Sequence, residues 1–420
     1  MEMKIDECRI CGNRALLPVL DLGSQALTGV FPKNREETVA SVPLELVKCS
    51  QPDGCGLVQL LHTADFDLMY GDHYGYRSGL GEFMIRHLQD KVASLLKTVE
   101  VRPGDIVVDI GSNDSTLLRG YPSDPALRPQ LVGIDPTGGK FRHLYPEGAE
   151  LITEYFSRKV FAERFGSRRA KVVTSVAMFY DLPRPMEFMQ DVHDILAEDG
   201  VWLMEQSYMP AMLEATAYDV VCHEHLEYYA LSQIEWMAER VGLKVVRAEL
   251  NDVYGGSLCA VLARKDSSVA VDEASVARVR AHETALALDT AAPYEAFAAR
   301  TVRYREELLA FLDDSRRSGK LTLGYGASTK GNVILQYCGL SEKDLPVIGE
   351  VNPEKHGAFT PGTYIPIVSQ EEARSRRPDQ LLVLPWIYRD GFVERERAYV
   401  AGGGRLVFPL PVLDVVGGAR

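Results

Sequence analysis

Ile106-Val107-Val108-Asp109-Ile110-Gly111-Ser112-Asn113-Asp114 is a short apolar run that ends in a glycine turn. The run reads as a buried strand. Gly111 places backbone N–H groups, and no side chain, where a ligand must approach closely. From about residue 104 strands and helices alternate, which predicts a parallel α/β sheet. Leu131 to Ile134, Leu151 to Ile152, Val172 to Val176 and Val201 to Met204 are the next strands. Phe188 to Leu196 is a helix, and another runs from after Tyr229 to about Val241, closed by Gly242. Leu243 to Glu249 and Ser257 to Ala263 read as a strand pair.

The turn lacks the G-x-G-x-x-G pattern, which disfavours a dinucleotide. Asp135 ends the following strand, 24 residues after Gly111. Doubly wound folds place an acid there to hold ribose hydroxyls. The pattern suits S-adenosylmethionine, with Gly111, Asn113 and Asp114 around the amino-acid moiety and Asp135 on the ribose. A nicotinamide cofactor, or an ordinary turn residue at Asp135, stays open.

A chain of 420 residues implies two or three domains. A net charge of −13 excludes broad nucleic-acid binding, which needs clustered Lys and Arg. No apolar run reaches the roughly 20 residues that span a bilayer. The N-terminus shows no signal-peptide core, so a cytoplasmic location and no membrane partner are expected.

Four of the seven cysteines fall in the first 55 residues. Cys8-Arg9-Ile10-Cys11-Gly12 is a compact knuckle, and Cys49 and Cys55-Gly56 form a looser pair. Four such thiolates suit a closed tetrahedral structural zinc site. A redox role for the first pair, or four free thiols, is the alternative. Residues 1–66 form this small unit. Tyr70-Gly71-Asp72-His73-Tyr74-Gly75-Tyr76-Arg77-Ser78-Gly79 follows, as a lid over a ligand or as ordinary loop packing, and leads to an amphipathic helix around Met84 to Leu96. Residues 67–265 are the cofactor unit and residues 266–318 a helical connector with no glycine.

Residues 319–420 open a second α/β unit at Gly324-Tyr325-Gly326-Ala327-Ser328-Thr329-Lys330. It is not a P-loop. Backbone N–H groups, Ser328 and Lys330 would match a diphosphate, and a plain strand-to-helix turn is the alternative. No internal sequence repeat is evident.

Cys222-His223-Glu224-His225-Leu226-Glu227-Tyr228-Tyr229 gathers two imidazoles, two carboxylates and two phenols. It can carry proton transfer or a metal. The two histidines share a face only if the segment is extended. Structural or surface histidines are the plain alternative.

With these motifs in place, the chain resembles the S-adenosylmethionine-dependent C-methyltransferases of nucleotide-activated 4-keto deoxysugars. The resemblance rests on the cysteine knuckle, Tyr74-Gly75-Tyr76-Arg77-Ser78-Gly79, Ile110-Gly111-Ser112-Asn113-Asp114, Glu205-Gln206-Ser207-Tyr208 and His223 to Tyr229. It continues through Gly324 to Ser328, Lys330-Gly331-Asn332, Pro361 to Ile367 and Leu384-Pro385-Trp386. It implies an α/β fold of three parts: a small zinc-binding domain, a class I methyltransferase Rossmann-like domain and a second Rossmann-like domain that binds the substrate's nucleotide. His225 is the implied base, which removes the hydrogen beside the ketone so that the enolate can take a methyl group. Glu224, Tyr76 and Tyr228 are the implied supporting groups. Ser328, Lys330, Asn332 and Gln206 are expected on the substrate. A monomer acting on a nucleotide sugar in deoxysugar or antibiotic biosynthesis is expected. Ser115 stands where the family pattern has Gly, Tyr254 where it has His, and Cys222 where some relatives carry Tyr. These departures keep two other readings in view: methylation of another acidic carbon or of oxygen, and a silent binding protein.

Overall fold

The computed structural model describes residues 3–50, 54–65, 69, 77–124 and 126–418. The loop from Tyr70 to Tyr76, with the candidate Tyr76, lies outside them.

The N-terminal unit carries strands β1 (Leu16–Ala26), β2 (Ser41–Cys49) and β3 (Val58–Leu60), paired antiparallel in that order. Helix α1 (Glu82–Leu95) then buries Met84, Leu88, Val92 and Leu95, one stripe of an amphipathic helix.

The first α/β unit begins with β4 (Ile106–Ile110), β5 (Gln130–Ile134), β6 (Glu150–Ile152), α2 (Arg158–Phe165) and β7 (Ala170–Val176). It continues with α3 (Pro185–Ile195), β8 (Leu196–Ser207), β9 (Glu227–Tyr228), α4 (Leu231–Val241), β10 (Leu243–Asn251) and β11 (Ser257–Arg264). Seven of these strands form one sheet in the order β10-β11-β8-β7-β4-β5-β6. β4 to β8 all run parallel, and β11 is antiparallel to both its neighbours. All five residues of β4 are buried, as a strand covered on both faces requires. β9 is the exception. It leaves this unit and joins the N-terminal sheet as its edge, in the order β9-β3-β2-β1.

A buried carboxylate fixes α1 to the sheet. Glu205 on β8 meets His87, Lys91 Nζ (2.6 Å) and Asn251 Nδ2 (2.8 Å). Burial without such partners would cost several kcal/mol.

Helices α5 (Glu273–Ala285) and α6 (Ala292–Arg317) connect the two α/β units. The second unit holds β12 (Thr322–Tyr325), α7 (Thr329–Cys338), β13 (Ile348–Glu350), β14 (Ile367–Ser369), β15 (Gln380–Val383), β16 (Arg405–Phe408) and β17 (Asp414–Gly417). Its order is β14-β13-β12-β15-β16-β17, a doubly wound arrangement with one antiparallel edge. No helix of the described residues is long and apolar enough to cross a membrane.

Candidate active site

The turn after β4 opens on a cavity of about 610 Å³. Asp109, Gly111, Ser112, Asn113, Asp135, Thr137, Phe156, Ser157, Met178 and Asp181 are among its walls. Gly111 has φ +72°, and a Cβ there would lie 3.3 Å from Met178 Cγ. The acid and the turn are joined: Asn113 N–H donates to Asp135 Oδ2 at 2.8 Å. Asp135 Oδ1 takes the Thr137 N–H and hydroxyl. Burial pushes Asp109 up to about 7. The cavity sits outside the carboxyl ends of β4 and β7, where the strand order reverses, and this is where such sheets bind ligands.

Asp114 is placed differently from its neighbours. It is fully buried, and its oxygens accept from Arg77 Nε (3.1 Å), Gly79 N–H (3.0 Å) and the Thr116 hydroxyl (2.5 Å). It fastens the chain that precedes α1 to the turn and is not part of the cavity wall. Ser115 has φ +60°, a left-handed conformation that glycine adopts without strain. Its hydroxyl donates to the Leu144 carbonyl at 3.1 Å. It also accepts from Arg119 Nη1 at 3.4 Å, so the Gly-to-Ser departure costs backbone strain and gains two hydrogen bonds.

The two histidines of the downstream cluster are separated by their partners. His223 Nε2–H donates to the Val42 carbonyl on β2 at 3.0 Å, and the residue is 1% exposed. His225 Nδ1–H donates to the Val220 carbonyl at 2.9 Å, and the ring is partly exposed. A carbonyl only accepts, so Nδ1 carries the proton and Nε2 is left as the basic nitrogen. Burial, then the Lys330 cation, lower His225 to about 3, so the ring is neutral near pH 7. Tyr228 is buried, and its hydroxyl donates to the same Val220 carbonyl at 3.3 Å. Glu224 Oε2 accepts from the Thr28 hydroxyl at 3.4 Å. The Tyr180 ring meets His225 edge-on at 4.4 Å between centroids. Its neighbour in sequence, Asp181, lines the cavity.

The second unit reaches the same place. Lys330 Nζ donates to the Tyr254 carbonyl at 3.4 Å, and Tyr254 lines the cavity. Ser328 caps α7 by accepting the Gly331 N–H at 3.0 Å. Asn332 is fully buried and donates to the Thr28 carbonyl at 2.8 Å. Gln206 is buried, with neither amide atom hydrogen-bonded. Lys330 is thus brought to the cavity's edge, where its charge acts on His225, while Ser328 is engaged in capping α7 and Asn332 and Gln206 stand in packed interior. Asp219 escaped the sequence reading. It is buried, accepts from Trp386 Nε1 at 2.8 Å, and burial raises it to about 6 against the Lys330 charge. A lone Asp in an ordinary stretch offers no local signal.

The four cysteines converge. Their sulfurs lie within 4.8 Å of one another, with Cys8 to Cys55 at 3.6 Å and Cys11 to Cys49 at 3.4 Å. Thiolates about 2.3 Å from a tetrahedral ion stand at about such separations. Among the described residues this is the one group of His, Cys, Asp or Glu gathered closely enough to hold a metal.

Three family descriptions match in series. "Putative zinc binding domain" covers residues 8–70, "Methyltransferase domain" 80–248 and "C-methyltransferase C-terminal domain" 252–411. C-methyltransferase NovU of Streptomyces niveus is 31% identical over 416 residues, 98% of this chain and 97% of that protein. Two solved structures match more distantly. The plantazolicin methyltransferase BpumL with SAH has TM-score 0.34 and 13% identity, over 44% of this chain and 86% of that one. The CcbJ methyltransferase of Streptomyces caelestis has TM-score 0.32 and 14% identity, over 42% and 89%. With NovU matched along nearly the whole of both chains and the three descriptions in order, this chain is a methyltransferase and belongs to the C-methyltransferase family.

Proposed function

We propose that the enzyme methylates carbon beside the ketone of a nucleotide-activated keto-deoxysugar, using S-adenosylmethionine, in deoxysugar biosynthesis. The observation that carries this is His225: a neutral imidazole, its tautomer set by Val220, packed against Tyr180, whose neighbour Asp181 lines the cavity at the Gly111 turn. Methylation of carbon needs a base before it needs a methyl donor. Nε2 takes the proton from the carbon beside the ketone, and the Val220 carbonyl, which also accepts from the Tyr228 hydroxyl, holds the ring while it does so. Lys330, whose charge already acts on His225, supplies positive potential for an enolate or a phosphate. Tyr76 completes the set in this reading. S-adenosylmethionine, when bound, offers an electrophilic methyl group. The open 610 Å³ cavity, with Asp135 at its wall and Gly111 at its turn, fits it. Ser328 and Lys330 at the start of α7 receive the diphosphate, which supports a role for the second unit in holding the nucleotide.

The cysteine cluster is assigned to one structural zinc ion, held by Cys8, Cys11, Cys49 and Cys55, because four ligands leave no open position. Elemental analysis of protein purified without chelator should find one zinc per chain, and none would contradict it. The acidic balance of −13 supports a small-molecule partner over a nucleic acid. Ser115 bonds Leu144 outside the cavity wall, which weakens the motive for a silent binding protein. Incubation with candidate nucleotide keto-sugars and S-adenosylmethionine tests the whole reading. A product heavier by one CH2 on carbon is expected, and an O-methyl product would reject it.

A further inference from the structure

The segment that carries His225 is held on both sides by the cysteine unit. Upstream, His223 bonds Val42 on β2. Downstream, β9 pairs with β3, Glu227 opposite Gln59 and Tyr228 opposite Val58, and Leu60 N–H donates to the Leu226 carbonyl at 2.9 Å. Gln233 Nε2 then donates to the carbonyl of Cys55 itself at 3.0 Å.

A buried Arg–Glu side-chain pair lies at the centre of this arrangement. Arg9 sits inside the Cys8–Cys11 knuckle. Its Nη1 donates to the Leu60 carbonyl at 2.5 Å and its Nη2 to the Thr63 hydroxyl at 2.8 Å. Its Nε stands 3.6 Å from Glu227 Oε1. Glu227 is 1% exposed, and neither of its oxygens has a hydrogen-bond partner. The main-chain pairing of β9 with β3 does not require this carboxylate, since any residue could supply the same backbone groups. Burying both groups is costly, and a side-chain pair of this kind favours one register of β9 on β3 over its neighbours.

We propose that Arg9 and Glu227 are positioning residues for the base. They tie the metal knuckle to the strand that leaves His225, two residues away, so the N-terminal unit sets where the imidazole stands as well as folding itself. The proposal rests on His225 being the base.

Glu227→Gln in the full chain is the test, because it keeps shape and removes the carboxyl group. Zinc content and S-adenosylmethionine affinity should match the parent. Amide hydrogen exchange across residues 222–228 should quicken, and kcat should fall roughly 10–100-fold with KM unchanged. Parent-like exchange or parent-like kcat in the fully metallated variant overturns the proposal. So does loss of zinc, which would make the pair merely structural. A parallel His225→Ala enzyme that still turned over would sink the base assignment instead, and the exchange measurement would still report on the pair by itself.

Discussion

In the first α/β unit Gly111 turns the chain at φ +72°, and Asp135, ending the next strand, accepts the Asn113 N–H at 2.8 Å. In the second, Gly326 turns it at φ +83°, and Glu350, ending the next strand, accepts the Ala327 N–H at 2.7 Å. Each acid lies 24 residues after its glycine. The surroundings differ. The first turn opens on a large cavity. The second is packed: a Cβ on Gly326 would meet Pro385 at 2.6 Å, and Lys355 Nζ donates to the Ala327 carbonyl at 2.7 Å. Strand, turn and acid therefore do not make a site alone. What stands against the turn decides whether it opens on a cavity or is filled by its neighbours, and the second unit places Lys330 Nζ 3.4 Å from the Tyr254 carbonyl at the first unit's cavity.

The largest effect should come from His225, the proposed base. His225→Ala should lose about 10²–10⁴-fold in turnover while S-adenosylmethionine still binds, measured by single-turnover assay and calorimetry. Comparable turnover would place the chemistry elsewhere.

Next comes a direct contrast between the paired acids. Asp135→Asn should weaken S-adenosylmethionine by roughly 1.5–3 kcal/mol, the loss of hydrogen bonds to a charged group. Glu350→Gln should leave that affinity unchanged. Equal losses would erase the distinction between an open and a filled turn.

Lys330→Met should raise the KM for the nucleotide sugar roughly 10-fold. It should also move the acid limb of kcat toward neutral pH. Burial and then Lys330 lower His225 from 6.5 to about 3, so its basic form persists in the native state well below pH 6. Without the cation the imidazole protonates at higher pH, and so does Asp219, which Lys330 also holds down. An unmoved limb would mean that the second unit's charge does not act on the base.

The smallest change is expected at Ser115→Gly. Relief of left-handed strain of about 1–2 kcal/mol opposes loss of the hydroxyl's hydrogen bonds to Leu144 and Arg119, together about 1–2 kcal/mol. Thermal denaturation should show a shift of no more than about 1 kcal/mol, with turnover unaffected.

Much of this comparison was legible in local sequence. Ile106 to Asp114, the glycine turns and the C-x-x-C knuckle carry their meaning within a few residues, and the structure has strands, turns and a cysteine cluster at those places. Helix bounds were close for the same reason, as in Leu231–Val241 closed by Gly242. The separation of His223 from His225 was not legible, because it depends on which carbonyl each ring meets, and Val42 is far away in sequence. The two-residue strand β9 was hidden too, since its partner β3 lies more than 160 residues upstream and two residues carry no period. Glu350 is one acid among many until its bond to Ala327 is seen. Asn332 and Gln206 were read as substrate groups from motif position, whereas the structure packs both inside, where backbone contacts and burial decide their surroundings.

Hydrogen exchange at the substrate tests the central claim most directly, because it reports base chemistry without methyl transfer. Keto-sugar incubated in deuterium oxide with the enzyme, and without S-adenosylmethionine, should take up deuterium at the carbon beside the ketone. His225→Ala should leave that carbon unlabelled. Labelling at the same rate by both proteins would contradict His225 as the base on which carbon methylation depends.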